Sequence, residues 1–346
     1  MPTIHLFQIT HEMPWGLLIA MYLFYTGISA GAVLVTSLGP VFGVKELKKT
    51  AQVGAIIGLS LLIIAPIHLI FDLEQPQRFI SLLFNFHATS PMSYGVFILL
   101  LYGIALLFYL LNLKQGNEKN IKTFGMASFV LALGIEAYTG FLIGNVQAHA
   151  LWNTALMPVI FLFSALASGT AMVLIVLNFY EKMSGSSLAN ERQTLAQFFK
   201  WFTLADLLLM AILVIVLLNG NDAQYANAYY LLHQEGLTFI GLENGIGLLL
   251  PFVLLSLGSS KKSFVNVSAV LVILSALVMR ITFVVGGQTL PMTGNSLMEY
   301  SLKSSHLIIA IVLAIVGLGA MGILLKTFVA NKQSTISNTK KGVVSQ

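Results

Sequence analysis

The chain has 346 residues, 57% apolar and 9% charged, with a formal net charge of +5 and no cysteine. A water-soluble domain carries about 25% charged residues, so a soluble globular protein is excluded; intrinsic disorder, which needs low hydrophobicity, goes with it. Without cysteine the chain supplies no thiolate to zinc, to an iron–sulfur cluster or to a covalent haem, and its basic residues sit in short loops rather than in a nucleic-acid-binding patch.

A run of roughly 20 apolar residues crosses the hydrocarbon core of a bilayer. Nine such runs are present: 15–42, 51–71, 92–112, 122–143, 153–179, 201–219, 237–257, 264–286 and 305–329. Lipid admits only helices and closed barrels, and runs of this length read as helices. The fold class expected is an all-α integral membrane protein with nine transmembrane helices. The segment before span 1 has no basic region and no small-residue cleavage site, so span 1 is itself the expected insertion signal.

Spans 1, 2 and 4 carry Gly27-x-x-x-Gly31, Gly54-x-x-x-Gly58 and Gly140-x-x-x-Gly144, spacings that let helix backbones approach closely. Ser90-Pro91 reads as an N-cap followed by proline at the first helical position. Pro66, Pro158 and Pro251 fall inside spans 2, 5 and 7, where each removes a backbone bond and can kink its helix. Residues 331–346 are polar and rich in Ser, Thr and Lys, and read as a disordered tail.

Fifteen of the 18 Lys and Arg residues lie in the loops after spans 1, 3, 5 and 7 and in the tail. Arg78 and Lys303 lie on the other side, and Arg280 lies within span 8. The positive-inside rule then places the N-terminus outside and the C-terminus in the cytoplasm.

Ionisable groups inside a membrane call for a partner or a task. His68 and Asp72, Glu136, Asp206, Glu243, Arg280 and His306 are such groups. In the derived orientation all but Asp206 fall in the outer half, which points to chemistry at the outer face. Asp206 reads as a boundary residue. His68 and Asp72 are four apart and share a helical face, as an acid–base pair or as an ion pair at a helix end. Tyr138 and Asn145 also share a face. Tyr22 and Tyr138 lie about 12 Å and about 8 Å below the outer boundary at 1.5 Å per residue, close enough to line one pocket. Glu136 is turned away from Tyr138 toward a neighbouring helix. Arg280 reads as a partner for Glu136 or Glu243.

The stretch YLFYTGISAGA (22–32), DLEQPQRF (72–79), FHATSPMSYG (86–95), EAYTG (136–140) and LWNTALMP (151–158), with RITFVVGGQTLP (280–291) further on, resembles the polysulfide reductase membrane-subunit (NrfD/PsrC) family. The resemblance implies two four-helix bundles plus one extra helix. Residues 1–150 would form the bundle with the quinone site, and 151–330 the second. It implies a subunit without a bound cofactor that exchanges electrons with quinol or quinone (menaquinone or ubiquinone). Its partner would be a four-cluster ferredoxin-like iron–sulfur subunit, with a molybdopterin or multihaem catalytic subunit beyond, at the bacterial inner membrane. Tyr138 matches a quinone-bonding tyrosine, Asp72 and Arg78 the motif leaving span 2, and Ser90, Pro91 and Ser93 the start of span 3. Tyr22 stands where some members have histidine.

The expected reaction is quinol oxidation, with Tyr138, Tyr22, His68 and Asn145 around the quinone head. The His68–Asp72 pair would take protons, and Arg78, Glu136, Glu243 and Arg280 would be accessory charges. Two other classes remain open: a secondary transporter, for which a clear internal repeat is expected and not seen, and a b-haem carrier using His68 and His306.

Overall fold

A computed structural model describes residues 13–73, 84, 90–289 and 300–343. Among these residues all regular structure is helical, and nine helices are long and apolar enough to cross a membrane. They are α1 (Leu17–Phe42), α2 (Ala51–Asp72), α3 (Pro91–Gln115), α4 (Glu118–Gly144), α5 (Met157–Ser184), α6 (Ala189–Leu218), α7 (Leu237–Gly258), α8 (Lys262–Thr289) and α9 (Ser304–Val343). The protein is a multi-span, all-helical membrane protein.

The helix ends follow local chemistry. Gly43, Gly116 and Gly185 close α1, α3 and α5 with φ of +84°, +73° and +66°, a left-handed cap for which glycine has no Cβ penalty. All three lie at the end where the lysine-bearing loops gather. Asn117 caps α4 by accepting from the Asn120 backbone N–H at 3.3 Å. Ser90 takes the expected place before Pro91, but without a side-chain capping bond. Pro158 lies in the first turn of α5, because that helix begins at Met157 and not at 153. There its missing N–H breaks no helical bond, so the kink expected from the sequence has no cause.

α1 is the central element. It is buried on nearly every side and contacts α2, α4, α5, α8 and α9. Without a hydrophobic force between helices in lipid, close packing must hold them together, and small residues permit it. Gly31 presses against the Ala165 carbonyl of α5, and a Cβ on it would stand 3.2 Å from the Gly169 Cα. Gly169 meets the backbone of Gly31 and Ala32 in return. Gly54 and Gly58 receive the Ala32–Thr36 and Ser29–Val33 faces of α1, and Gly140 abuts the backbone of Met157 and Pro158. The small-residue spacings therefore mark real helix contacts.

Two elements differ from the sequence expectation. α6 starts twelve residues before 201. Its first turns are held by charge: Arg192 pairs with Glu181 and donates to Asn178 at 2.5 Å, Lys262 reaches Glu181 at 3.7 Å, and Lys49 reaches Glu191 at 3.2 Å. Residues that read as a soluble loop are thus a helical turn stitched to α5, α8 and the turn before α2. In the loop 219–236 a short helix, Asp222–Tyr229, is started by a capping box between Asn221 and Gln224. At the far end, α9 continues to Val343, into the stretch from 331 that reads as a disordered tail.

α7 and α8 are not regular. Leu237–Leu249 and Thr282–Gly286 are wound with wider, i to i+5 turns. Hydropathy has no signal for this. The Leu250 N–H bonds to the Gly245 carbonyl, and the Asn244 amide donates to the Phe239 carbonyl at 2.8 Å. Ser275 of α8 donates to the Glu243 carbonyl at 2.8 Å, with Gly247 leaving room for it. Such turns are rare, and they are frequent at functional sites.

Candidate quinone-type site and its buried charges

The end of the bundle away from the lysines carries the polar groups, and α1 to α4 position them. Tyr22 and Tyr25 lie three apart on α1, so both face one side, and both are buried. The Tyr25 ring centre lies 5.2 Å from that of His68 on α2. His68 is fully buried, with Nδ1 3.0 Å from the Ile64 carbonyl. A carbonyl only accepts, so Nδ1 carries the proton and the neutral ring keeps a lone pair on Nε2. Among the described residues that buried Nε2 has no hydrogen-bond partner.

On the other side of Tyr22 stands Tyr138 of α4, with Glu136 also within electrostatic reach. The Tyr138 ring and hydroxyl lie directly over Gly95, in the first turn of α3, where any Cβ would strike them. Deeper, Tyr102 of α3 donates to the Ser29 carbonyl at 3.2 Å, while Ser29 Oγ donates to the Gly58 carbonyl at 2.8 Å. These bonds tie α1, α2 and α3 beneath the phenols.

Tyr22, His68 and Tyr138 are thus brought to one region. Asn145 caps α4 and is exposed at its end. Asp72 is half-buried and has His306 and Lys303, at the start of α9, as its charged neighbours. His68 instead points inward to Ile64 and Tyr25. Arg78 lies outside the described residues, as do 74–79 of the first motif and 86–89 of the second. Sequence reasoning missed Tyr25, Tyr102, Ser29 and Gly95. Tyr25 was signalled by its three-residue spacing from Tyr22, the others only by tertiary contact.

A second group lies between the helices. Arg280 of α8 is 2% exposed and sits 3.9 Å from Glu136, which is 1% exposed. Its guanidinium lies 4.0 Å over the Phe161 ring and donates to the Phe161 carbonyl at 3.5 Å. Gly27 makes the space: a Cβ there would lie 3.1 Å from Arg280 Nη2 and 3.7 Å from Glu136 Oε2. Of the two partners open from the sequence, the ion pair falls to Glu136. Asp206 and Glu243 are buried as well and are electrostatically coupled to Arg280. The reading of Asp206 as a boundary residue is corrected here. With α6 starting at Ala189 rather than 201, Asp206 lies about 26 Å along the helix from that end and about 18 Å from the other, at 1.5 Å per residue. A charge at mid-bilayer costs about 2.5–3.5 kcal/mol, so an idle cluster of this kind would be expensive.

The mouth of this end is locked by aromatic rings. Trp15 stacks on Trp152 with centres 5.0 Å apart, and His149 packs on the other part of Trp152 at 4.4 Å. Trp152 Nε1 donates to the Phe283 carbonyl at 2.5 Å. Gln288 accepts from the Trp15 N–H at 3.1 Å and donates to its carbonyl at 2.8 Å. Burial holds the His149 pKa below its usual value, against the backbone bond with Gly287 that raises it. Among the described residues no group of three or more His, Asp or Glu side chains is arranged to hold a metal. Phenol donors and an imidazole acceptor at one end of the bundle are the groups that hydrogen-bond a molecule with oxygen atoms on its ring.

A family model described as polysulphide reductase, NrfD, matches residues 6–291. The chain belongs to the NrfD polysulphide reductase family. Among NrfD-like relatives, a polysulfide reductase chain of Wolinella succinogenes is 30% identical over 311 residues, covering 80% of this chain and 94% of its own. A selenate reductase subunit of Mesobacillus selenatarsenatis is 26% identical over 337 residues, covering 82% and 76%. The Hdr-like menaquinol oxidoreductase integral membrane subunit of Archaeoglobus fulgidus is 26% identical over 171 residues, covering 49% of this chain and 43% of its own. These NrfD relatives are membrane subunits of oxidoreductase complexes.

Proposed function

We propose that this NrfD-family chain is the quinone-reactive membrane subunit of a respiratory oxidoreductase, seated in the bacterial inner membrane with its N-terminus outside and its C-terminus in the cytoplasm. The observation that carries the reading is the buried Nε2 of His68, unpartnered among the described residues, on a ring packed against Tyr25 at the end of the bundle where Tyr22 and Tyr138 also meet. An unpaired buried acceptor costs about 1–3 kcal/mol, and a quinol hydroxyl that donates to it removes that cost. The menaquinol named for the Archaeoglobus relative supports the same class of substrate.

Quinol oxidation releases two electrons and two protons. His68 accepts one hydroxyl proton at Nε2, and Tyr138, opposite, hydrogen-bonds the other oxygen of the ring. In this reading Asp72, one turn further along α2, passes the proton outward. The electrons go to an iron–sulfur subunit docked on the outer face, beyond which a molybdopterin or multihaem subunit reduces the terminal acceptor. In this reading α1–α4 form the quinone bundle and α5–α8 the second, with α9 against α2. The lysine-rich ends face the cytoplasm, as the positive-inside rule requires.

Replacing Tyr138 with Phe tests the assignment in the assembled complex. Quinol-linked turnover falls while dye-linked activity of the soluble partners is kept. Equal losses in both assays, or none in either, would refute it.

A further inference from the structure

Three buried acids lie within electrostatic reach of one buried guanidinium. Glu136 of α4, Asp206 of α6, Glu243 of α7 and Arg280 of α8 are exposed by 1%, 4%, 0% and 2%. Among the described residues, both carboxyl oxygens of Glu136 and Oδ1 of Asp206 are buried without a hydrogen-bond partner, and the fully buried Glu243 carboxyl has the Thr282 hydroxyl as its polar neighbour. With every acid ionised the group would carry two net negative charges out of contact with water, which a low-dielectric interior opposes strongly. Neutrality requires one carboxylate and two protonated acids.

The ion-pair geometry selects the carboxylate. Glu136 Oε2 faces Arg280 Nη2 at 3.9 Å, in the gap left by Gly27. Glu136 also faces the other way. It lies within electrostatic reach of Tyr22 on α1 and of Tyr102 on α3, and Tyr22 in turn neighbours Tyr138. Tyr102 is already committed to Ser29, whereas Tyr22, beside the Thr26 hydroxyl, interacts electrostatically with both Glu136 and Tyr138. Glu243 lies within the wide turns of α7, and Arg280 stands two residues before those of α8.

We propose that Glu136 is the second proton acceptor of the site, acting through Tyr22, with Arg280 holding it ionised and Asp206 and Glu243 holding the two compensating protons. This rests on the quinone reading above. In the step, a quinol O–H bond breaks and its proton joins the Tyr22 oxygen. The Tyr22 hydroxyl proton passes to Glu136, where an O–H bond forms. The other quinol proton goes to His68, and the electron pair leaves to the iron–sulfur carrier of the partner subunit, one electron at a time. The reverse sequence protonates quinone when electrons flow inward. Glu136 is a positioning and relay residue, and it does not touch the ring.

The full chain in lipid nanodiscs, loaded with a short-chain naphthoquinone, tests this by infrared difference spectroscopy between oxidised and reduced quinone. The wild type gains a protonated-carboxyl carbonyl band on quinol oxidation. Glu136→Gln loses it, Glu136→Asp shifts it, and Asp206→Asn and Glu243→Gln keep it. In the assembled complex Glu136→Gln lowers quinol-linked turnover by about 100-fold, the size of a lost proton-transfer group. Binding of the naphthoquinone by each variant is measured separately by calorimetry. If the probe does not bind the wild type, the quinone reading itself fails. If it binds and the band persists in Glu136→Gln, or never appears, the quinone reading stands and the relay is wrong.

Discussion

Gly95→Ala probes the site through its packing. A Cβ on Gly95 would overlap Cζ, Cε1 and the hydroxyl of Tyr138. These are the far atoms of a half-buried side chain, so the tyrosine swings aside and the backbones stay in place. Inserting a carbon into a packed site costs about 1–3 kcal/mol, nearer the lower figure when a side chain can rotate. Alanine also gains about 0.8–1.0 kcal/mol over glycine inside a helix. The two nearly cancel, and stability should change by less than about 1 kcal/mol. The substrate contact does not escape so lightly. Losing a hydrogen bond of about 1.4 kcal/mol in the transition state is a tenfold loss in rate, and a misplacement of about 1 Å can reach 100-fold. Quinol-linked turnover should therefore fall at least about tenfold, with the thermal midpoint close to wild type and dye-linked activity unchanged. The double variant Gly95→Ala/Tyr138→Phe should be little worse than Tyr138→Phe alone, because both remove the same contact. Wild-type turnover in Gly95→Ala, or losses that multiply in the double variant, would refute the placement of the Tyr138 hydroxyl at the substrate.

Gly31→Ala forces a Cβ into the Ala165 carbonyl, where no side chain can yield, and should destabilise by about 1–3 kcal/mol. Gly134→Ala, where a Cβ meets nothing within 4 Å, should stabilise by up to about 1 kcal/mol, and tryptophan-fluorescence melts of the two must move in opposite directions. Because the protein has no cysteine, a single one introduced at Gln147 or His233 should react with an impermeant maleimide added outside intact cells, and one at Lys119 or Lys261 only after permeabilisation; the opposite pattern inverts the topology. His149 is held neutral by burial, below its ordinary value of 6.5. As pH falls through about 6.5 the unfolded chain takes up a proton that the folded chain resists, so stability falls on the acid side. His149→Gln should flatten that part of the melting profile between about pH 7.5 and about pH 5.5, and an unchanged profile would assign the acid sensitivity to another group.

The helices were legible because lipid imposes length and apolarity, and the glycine spacings were legible because lipid leaves packing as the main force between helices. What failed did so for identifiable reasons. Glu191 and Arg192 read as loop because charge in a membrane protein suggests water, yet here it meets Glu181, Asn178 and Lys49 and extends a helix. Asp206 read as a boundary residue for the same reason, since the start of α6 was placed twelve residues late. Spacing identified the shared face of His68 and Asp72, but spacing knows nothing of neighbouring elements. α9 runs beside α2 and brings Lys303 and His306 toward Asp72, while Tyr25 claims the His68 ring. The wide turns of α7 and α8 depend on contacts such as Ser275 to the Glu243 carbonyl, which no local pattern encodes.

α1 links the buried charges to the phenols. Apart from Ile28, its residues 27–32 are small, and that is why α2, α5 and the Arg280 side chain can come close to its axis. One turn nearer the helix start α1 carries Tyr22 and Tyr25, both buried, with Tyr25 against His68 of α2 and Tyr22 interacting with Tyr138 of α4. A Cβ at Gly27 would lie 3.1 Å from Arg280 Nη2 and 3.7 Å from Glu136 Oε2, so a bulky residue there should break the buried ion pair. The ion pair and the aromatic cluster thus meet on one stretch of α1, and a change in its small residues should alter the ion pair before it alters any loop.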